Sequence, residues 1–504
     1  MSVFYEALSL VLTWDVLATI LAASALGIVI GAIPGLTAVM GVALLIPITF
    51  FMDPIPAIAA IAALAATAIF AGDIPGALMR IPGTPASAAY VDDAYAMTRA
   101  GKPERGLGLS LSAACFGGVT GVILLMAAAP LLARFATNFS SVEYFWLALL
   151  GLSCAAIVSR GSPLKGLLSL LFGLWVAMIG IDEVAGQARF TFGSMELMGG
   201  VSFIPAMIGM FALSELIHNA GNPRPAEAPP TLGPVFAGLG RVLLRRRVNL
   251  LRGGLTGSLV GALPGAGADI AAWVSYAIAK RRSSEPEKFG AGHDEGIIEA
   301  GAANNGALSA AWVPTLVFGI PGDSITAIVI GVLYLKGLEP GPIIFIKTPE
   351  LVYAIFIAFL LANLLLLPLG WAVIRASRHL LRIPQSYFLP IVLASCIIGS
   401  FAINNTAFGV GIMLVFGLVG WLFEENGIPV APAILGIVLG GMVEFNFVTS
   451  MLKSHGDPMI LFSRPLAALL AIAIIMMWAA PVITWLRRAR TERAGPASGE
   501  DAPK

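Results

Sequence analysis

Apolar residues run in stretches too long and too closely spaced for a chain that folds in water. They lie near 9–33, 36–52, 55–72, 106–135, 143–159, 163–181 and 197–219. After a polar gap they resume near 253–279, 305–335, 350–374, 385–403, 405–423, 428–448 and 464–486. A helix needs about 20 residues to cross the hydrocarbon of a bilayer, and a spanning segment must pair its own backbone groups. Several of these stretches are shorter than that or are cut by Pro-Gly. The expectation is an all-α polytopic membrane protein with roughly 11–13 transmembrane helices, some of them broken helices or re-entrant hairpins. Composition agrees: with 58% apolar and 12% charged residues, there is too little polar surface to cover a globule in water.

Several functions are excluded at this level. A net charge of +1 gives no reason to expect nucleic acid as a partner. Cys115, Cys154 and Cys396 are far apart in apolar context and form neither a disulfide framework nor a metal pair. His218, His293, His379 and His455 are equally scattered. There is no phosphate-binding loop of the G-x-x-x-x-G-K-[ST] kind, and no H-E-x-x-H or G-x-S-x-G. The chain reads as a non-enzyme without a cofactor. No basic segment precedes the first apolar stretch, so Met1 onward reads as mature protein.

Basic residues set the orientation. Residues 221–252 are Pro-rich and carry Arg224, Arg241, Arg245, Arg246, Arg247 and Arg252 against one acid, Glu227. Positively charged loops stay in the cytoplasm. The expected division is a first transmembrane repeat over 1–220, a basic cytoplasmic linker over 221–252, a second transmembrane repeat over 253–486, and a disordered basic tail over 487–504.

The repeat is visible in the motifs. GAIPGLTA (31–38) recurs as GALPGAGA (261–268), with Pro34 and Pro264 lying 230 residues apart. IPGTPASA (81–88) recurs more loosely as IPGDSITA (320–327), with Pro82 and Pro321 lying 239 apart. Isolated Pro-Gly pairs are common helix breaks, but an ordered pair of motifs at nearly one offset points to duplication. Duplicated, usually inverted, halves are how many secondary transporters are built, with the substrate site between them. An inverted repeat with a cytoplasmic linker places the C-terminus on the periplasmic side, whereas the Arg-rich tail argues for the cytoplasm. An extra helix over 464–486, or parallel repeats, would reconcile the two.

Pro removes a backbone donor and the following Gly admits unusual dihedrals, so each motif should break its helix at membrane depth. The exposed N–H ends suit a carboxylate, and the free carbonyls suit Na⁺. Four breaks make Pro34, Gly35, Gly83, Gly265 and Gly322 candidates for the substrate site. Thr37, Thr84, Ser87 and Ser324 follow the breaks and supply hydroxyls, unless they only cap the new helices. Asn304 and Asn305 offer amides that bind a carboxylate without adding charge. Arg80 stands directly before IPGTP as a side-chain counter-ion for an anion, or as an arginine reaching the membrane edge. Asp73 and Asp269 are acids within apolar stretches. With Thr326 they are the candidates for the coupling ion, Na⁺ or H⁺. Substitution of Arg80 by alanine is expected to weaken uptake.

At these residues the chain resembles a known family. GAIPGLTAVMGVALLIPITF, IPGTPASAAYVDDAYAMTRAGKPERGLGLS, GALPGAGADIAAWVSYAIAK and EAGAANNGALSAAWVPTLVFGIPGDSITA are similar to segments of the large membrane subunit of tripartite tricarboxylate transporters. The resemblance is strong over about Gly27 to Gly341 and weaker to about Arg488. It implies a secondary transporter of the bacterial inner membrane that imports carboxylates such as citrate, or other organic-acid anions, by symport with Na⁺ or H⁺. It also implies two partners, a small four-helix membrane subunit and a periplasmic solute-binding protein. The chain departs from the family pattern at Gly72-Asp73, where Gly-Gly is expected, and at Arg80, where a neutral polar residue is expected. Two readings of other classes remain beside it. One is an intramembrane aspartyl protease using Asp73 and Asp269 as a proton-sharing pair; the other is an anion channel.

Overall fold

Helix starts follow caps and N-terminal prolines in the sequence. Thr37 accepts the N–H of Met40 to open one helix. Asp323 and Thr326 form a reciprocal capping box at another, and Pro54 and Pro103 stand in the first turns of two more. The computed structural model describes residues 2–33, 36–158, 162–182, 186–221, 232–265, 267–380 and 388–493. Its first half holds α1 (Ser2–Val11), α2 (Trp14–Ala32), α3 (Ala38–Phe50), α4 (Pro54–Ala71), α5 (Asp73–Met79), α6 (Val91–Arg99), α7 (Pro103–Ala136), α8 (Ser141–Val158) and α9 (Pro163–Ala177). A two-residue hairpin follows, β1 (Gly180–Ile181) antiparallel to β2 (Ala188–Arg189). Next come α10 (Phe203–Met207) and α11 (Ser214–Gly221), joined by a π-helical segment over Ile208–Leu213.

The second half holds α12 (Leu239–Arg245), α13 (Arg247–Gly261), α14 (Gly267–Arg282), α15 (Asp294–Ala310), α16 (Trp312–Phe318) and α17 (Ser324–Leu335). It continues with α18 (Ile344–Lys347), α19 (Pro349–Leu380), α20 (Phe388–Asn404), α21 (Ala407–Glu425), α22 (Ala431–Lys453) and α23 (Pro465–Arg493). Among the described residues six helices are long and apolar enough to cross a membrane, and seven further apolar helices are shorter. The protein is an all-α polytopic membrane protein. Many large apolar side chains, among them Leu26, Ile123, Leu364, Leu418 and Ile472, are exposed, as on a lipid-facing surface.

Small residues set the packing. A Cβ on Gly27 or Gly31 would strike the carbonyl oxygens of Leu64 or Ala68, so α2 lies against α4 and runs parallel to it. Gly253, Gly257 and Gly261 press in the same way on the carbonyls of Glu299, Ala303 and Ala307, so α13 runs parallel to α15. Gly257 and Gly261 stand 230 residues after Gly27 and Gly31; Ala303 and Ala307 stand 239 after Leu64 and Ala68. These are the two offsets that separate the paired motifs. Between close-packed membrane helices, glycine allows backbone approach that any side chain blocks.

The second breaks match as closely. In the first half the N–H groups of Arg80 and Ile81 return to the carbonyls of Gly76 and Pro75; in the second, those of Gly319 and Ile320 return to Thr315 and Pro314. Arg80 (φ 60°) and Gly319 (φ 69°) hold the same left-handed cap, and each partner lies 239 residues from its counterpart. A Cβ on Gly83 would meet the backbone of Gly72, and one on Gly322 would meet Ala311.

Two expected boundaries move. The linker does not run as a loop to residue 252. It is helical from Leu239, and two of its arginines are paired: Arg246 with Glu295, and Arg252 with Glu299 at 2.5 Å. Glu299 is fully buried inside α15, and its charge draws the arginine into the bundle. The helix of the last apolar stretch does not stop at residue 486, because α23 continues to Arg493. Residues 494–504 lie outside the described residues.

Candidate functional site

The four breaks meet at one cavity of about 770 Å³. Thr37 and Ala38, at the start of α3, form one wall, and Gly83, Thr84 and Pro85 form the next. Gly265, Gly267 and Ala268 come from the break before α14; Asp323, Ser324 and Ile325 open α17. Asn304, at the middle of buried α15, also faces it. The remaining wall is built by Phe211 and Glu215 and by the segment from Glu424 to Leu435.

Local structure explains how loops reach this position. At Gly265 φ is 75°, and a Cβ there would lie 2.6 Å from the backbone nitrogen of Ala155 on α8. Only glycine lets the third break lie this close to α8. Trp273 of α14 donates its indole N–H to the carbonyl of Pro85 at 3.2 Å, tying the third break to the second. The helix starts of α3, α14 and α17 all open at the cavity, so positive dipole ends face it.

The expected site residues divide. Thr37, Gly83, Thr84, Gly265, Asn304 and Ser324 line the cavity. Ser87 lies behind Thr84: each hydroxyl accepts the other's backbone N–H, at 3.1 and 3.2 Å, which is a local cap. Gly322 is packed on Ala311. Thr326 is committed to its capping box, its hydroxyl donating to Asp323 at 2.7 Å. Asn305 turns away from its neighbour and donates to the carbonyl of Ala66. Pro34 and Gly35 lie outside the described residues. Asp269 falls in α14, and its side chain lies outside what the structure describes.

Arg80 is where the sequence reading and the structure part. Its side chain is 62% exposed and pairs with Asp92 at 2.9 Å, outside the cavity wall. Its backbone holds the left-handed cap of α5. Asp73 is buried beneath the second break rather than in the cavity. Tyr90 donates to both of its oxygens at 2.8 Å, and Ser110 donates to one.

Sequence reasoning passed over Asp323, although the D-S-I-T run of IPGDSITA carries the spacing of a cap. It also passed over Tyr90, Ser110 and Trp273, which are brought in by folding and have no local signal. The cavity wall carries three carboxyl groups, Glu215, Asp323 and Glu424, and among the described residues no lysine, arginine or histidine.

The fold is that of a polytopic helical membrane protein with paired helix breaks lining a cavity, and comparison with known proteins gives its family. Residues 17–435 match the Tripartite tricarboxylate transporter TctA family. The chain belongs to that family, whose transporters are assemblies of several subunits. It is 34% identical over 478 residues, 93% of each chain, to an uncharacterised 52.8 kDa protein from the TAR-I ttuC′ 3′ region of Agrobacterium vitis. It is also 34% identical over 220 residues to an uncharacterised protein from the TAR-II ttuC′ 3′ region of the same organism, covering 44% of this chain and 91% of that one. No solved structure matches.

Proposed function

We propose that this chain is the large membrane subunit of a binding-protein-dependent secondary transporter of the bacterial inner membrane. It imports a tricarboxylate or other organic-acid anion by symport with Na⁺ or H⁺. The observation that carries the reading is the convergence of all four helix breaks on one cavity. Helix N-termini at α3, α14 and α17, the hydroxyls of Thr37, Thr84 and Ser324, and the Asn304 amide supply donors for carboxylate oxygens there.

The charges of the wall favour symport over simple anion flow. Among the described residues three carboxyls and no cationic side chain line the cavity, so a polyanion enters at acceptable cost only with cations or protons that neutralise it. A channel for anions would line its path with positive charge. The protease reading is weakened because the oxygens of Asp73 are already occupied by hydroxyl donors from Tyr90 and Ser110.

An inverted repeat supports alternating access. The long helices α7 and α19 hold the same place in their halves and cross antiparallel: Gly118 meets Asn363, and Gly370 meets Leu111. Two like halves in opposite orientation can exchange conformations and so expose one site to either side. The partners in this reading are a small four-helix membrane subunit and a periplasmic solute-binding protein that delivers the anion.

Reconstitution with both partners in liposomes tests the proposal. Radiolabelled di- and tricarboxylates, citrate included, would be offered under an imposed Na⁺ or proton gradient. Saturable, gradient-dependent accumulation is expected. It should be lost in Gly83→Ala, whose Cβ would lie 2.5 Å from the Gly72 Cα. Non-saturating flux indifferent to both gradients would replace the symporter by a channel.

A further inference from the structure

We infer that Asp73 carries the coupling proton, and that Tyr90 and Asn304 report its charge to the substrate cavity. This rests on the transporter reading above and narrows its coupling ion to H⁺.

The geometry is a short chain of contacts from a buried acid to the cavity wall. Asp73 is 4% exposed at the start of α5. Tyr90, 2% exposed, donates its hydroxyl to both Asp73 oxygens at 2.8 Å, and Ser110 of α7 donates to Oδ2. The Tyr90 oxygen in turn accepts the Asn304 Nδ2 at 3.4 Å. Asn304 lines the cavity, and its Oδ1 is buried without a hydrogen-bond partner. The second break rests on the same place, since the Gly83 N–H donates to the Gly72 carbonyl at 3.0 Å.

A carboxylate in this position has hydroxyl donors but no cation. Among the described residues, α7 presents Ser110, the segment before α6 presents Tyr90, and α15 presents Asn304. Buried acids on the neighbouring helices are engaged elsewhere. Asp93 accepts from Tyr276 and from the N–H groups of Gly290, Gly292 and His293, and Glu299 pairs with Arg252. The hydroxyl hydrogens fill the positions from which a metal cation would approach. A proton is the neutralising partner that fits, since it needs no more room than the turning of one hydroxyl hydrogen.

Protonation would then reverse the chain. The new Asp73 O–H donates to the Tyr90 oxygen. The Tyr90 hydrogen is released and donates to Asn304, which must present Oδ1 instead of Nδ2. The two ends of the amide have nearly the same shape, so half a turn about the side chain achieves this. The NH₂ group then takes the place of the buried, unpartnered Oδ1 of this cavity-lining residue and becomes a donor that a substrate carboxylate can use. Proton and anion therefore bind together. On the cytoplasmic side the proton passes from Asp73 to water, the amide turns back, and the anion loses a donor. No bond other than O–H forms or breaks.

The test uses the full tripartite assembly in liposomes, with the radiolabelled acids above and an internal pH dye. In the wild type, a proton gradient alone should drive accumulation, a Na⁺ gradient at equal pH should not, and KM should rise with external pH. Asp73→Asn should lose accumulation by about tenfold or more. It should retain substrate counterflow, which needs no net proton movement, with a KM no longer dependent on pH. That variant also controls for ionisation of the acid itself. Asp73→Glu should restore proton-driven uptake with a displaced pH profile, which separates proton carriage from a packing role. Tyr90→Phe, which cuts the link between Asp73 and Asn304, should lower proton-driven accumulation and flatten the pH dependence of KM while retaining counterflow. Proton-driven accumulation of wild-type size in Asp73→Asn would overturn the inference, as would wild-type uptake driven by Na⁺ alone. Either result leaves the transporter reading standing. Absence of any wild-type uptake would remove both.

Discussion

Asn305 on α15 donates its side-chain N–H to the backbone carbonyl of Ala66 on α4 at 3.0 Å. The two residues stand 239 apart, the offset that relates Pro82 to Pro321. Equivalent positions of the two halves thus touch each other, and the pseudo-twofold relation runs through this contact. Asn304, one residue earlier, faces the cavity instead. On a helix, neighbouring residues point about 100° apart, so an Asn-Asn pair can serve the interface and the site at once.

The pair should therefore separate on mutation. Asn305→Ala should cost about 1 kcal/mol of stability, the usual worth of one interhelical hydrogen bond in a membrane, and leave substrate KM nearly unchanged. Asn304→Ala should raise KM about tenfold with little change in stability. Thermal unfolding in detergent and uptake in liposomes would measure both, and identical effects for the two variants would contradict the division.

Gly257 sets the approach of α13 to α15. A Cβ there would lie 2.3 Å from the Ala303 carbonyl oxygen. Gly257→Leu should force the parallel helices apart, cost about 1–3 kcal/mol or more, and reduce the yield of monodisperse protein. Gly441 has nothing within 4 Å of the same position, so Gly441→Ala should be harmless. Size-exclusion profiles would compare them.

Arg252 compensates a fully buried carboxylate, donating to both oxygens of Glu299 at 2.7 and 2.5 Å. Arg252→Met should destabilise by about 3–5 kcal/mol, because it strands that charge. The double variant Arg252→Met/Glu299→Leu should regain most of the loss. A double variant no more stable than the single one would show that packing, not charge, is at stake.

For Arg80 the structure favours the second of the two sequence readings, an exposed arginine at a helix end, over a counter-ion in the cavity. The side chain is exposed and paired with Asp92, and the backbone is left-handed. Arg80→Gly removes an exposed ion pair worth about 0.2–1 kcal/mol and relieves a conformation that costs a non-glycine residue about 1–2 kcal/mol. Its unfolding midpoint should hold or rise, and substrate KM should stay within about twofold. A tenfold rise in KM would return Arg80 to the site.

The sequence by itself determined the membrane environment, the helical class, the duplication and the four breaks. Each of these is written in local composition: apolar length, Pro-Gly, and a motif repeated at a fixed offset. It also marked Thr37, Thr84, Asn304 and Ser324, because hydroxyls and amides beside a break are conspicuous in an apolar chain. Only the tertiary structure decided which of the marked residues meet. Ser87 and Thr326 are drawn into caps within their own turns, and Arg80 is exposed and paired with Asp92. Asp73 is placed behind the cavity, in reach of it only through Tyr90. That contact depends on how α5, α6, α7 and α15 pack, and residues 17, 37 and 231 positions from Asp73 leave no periodic signal beside it. Local pattern fixes where a helix stops; long-range packing fixes what its end faces.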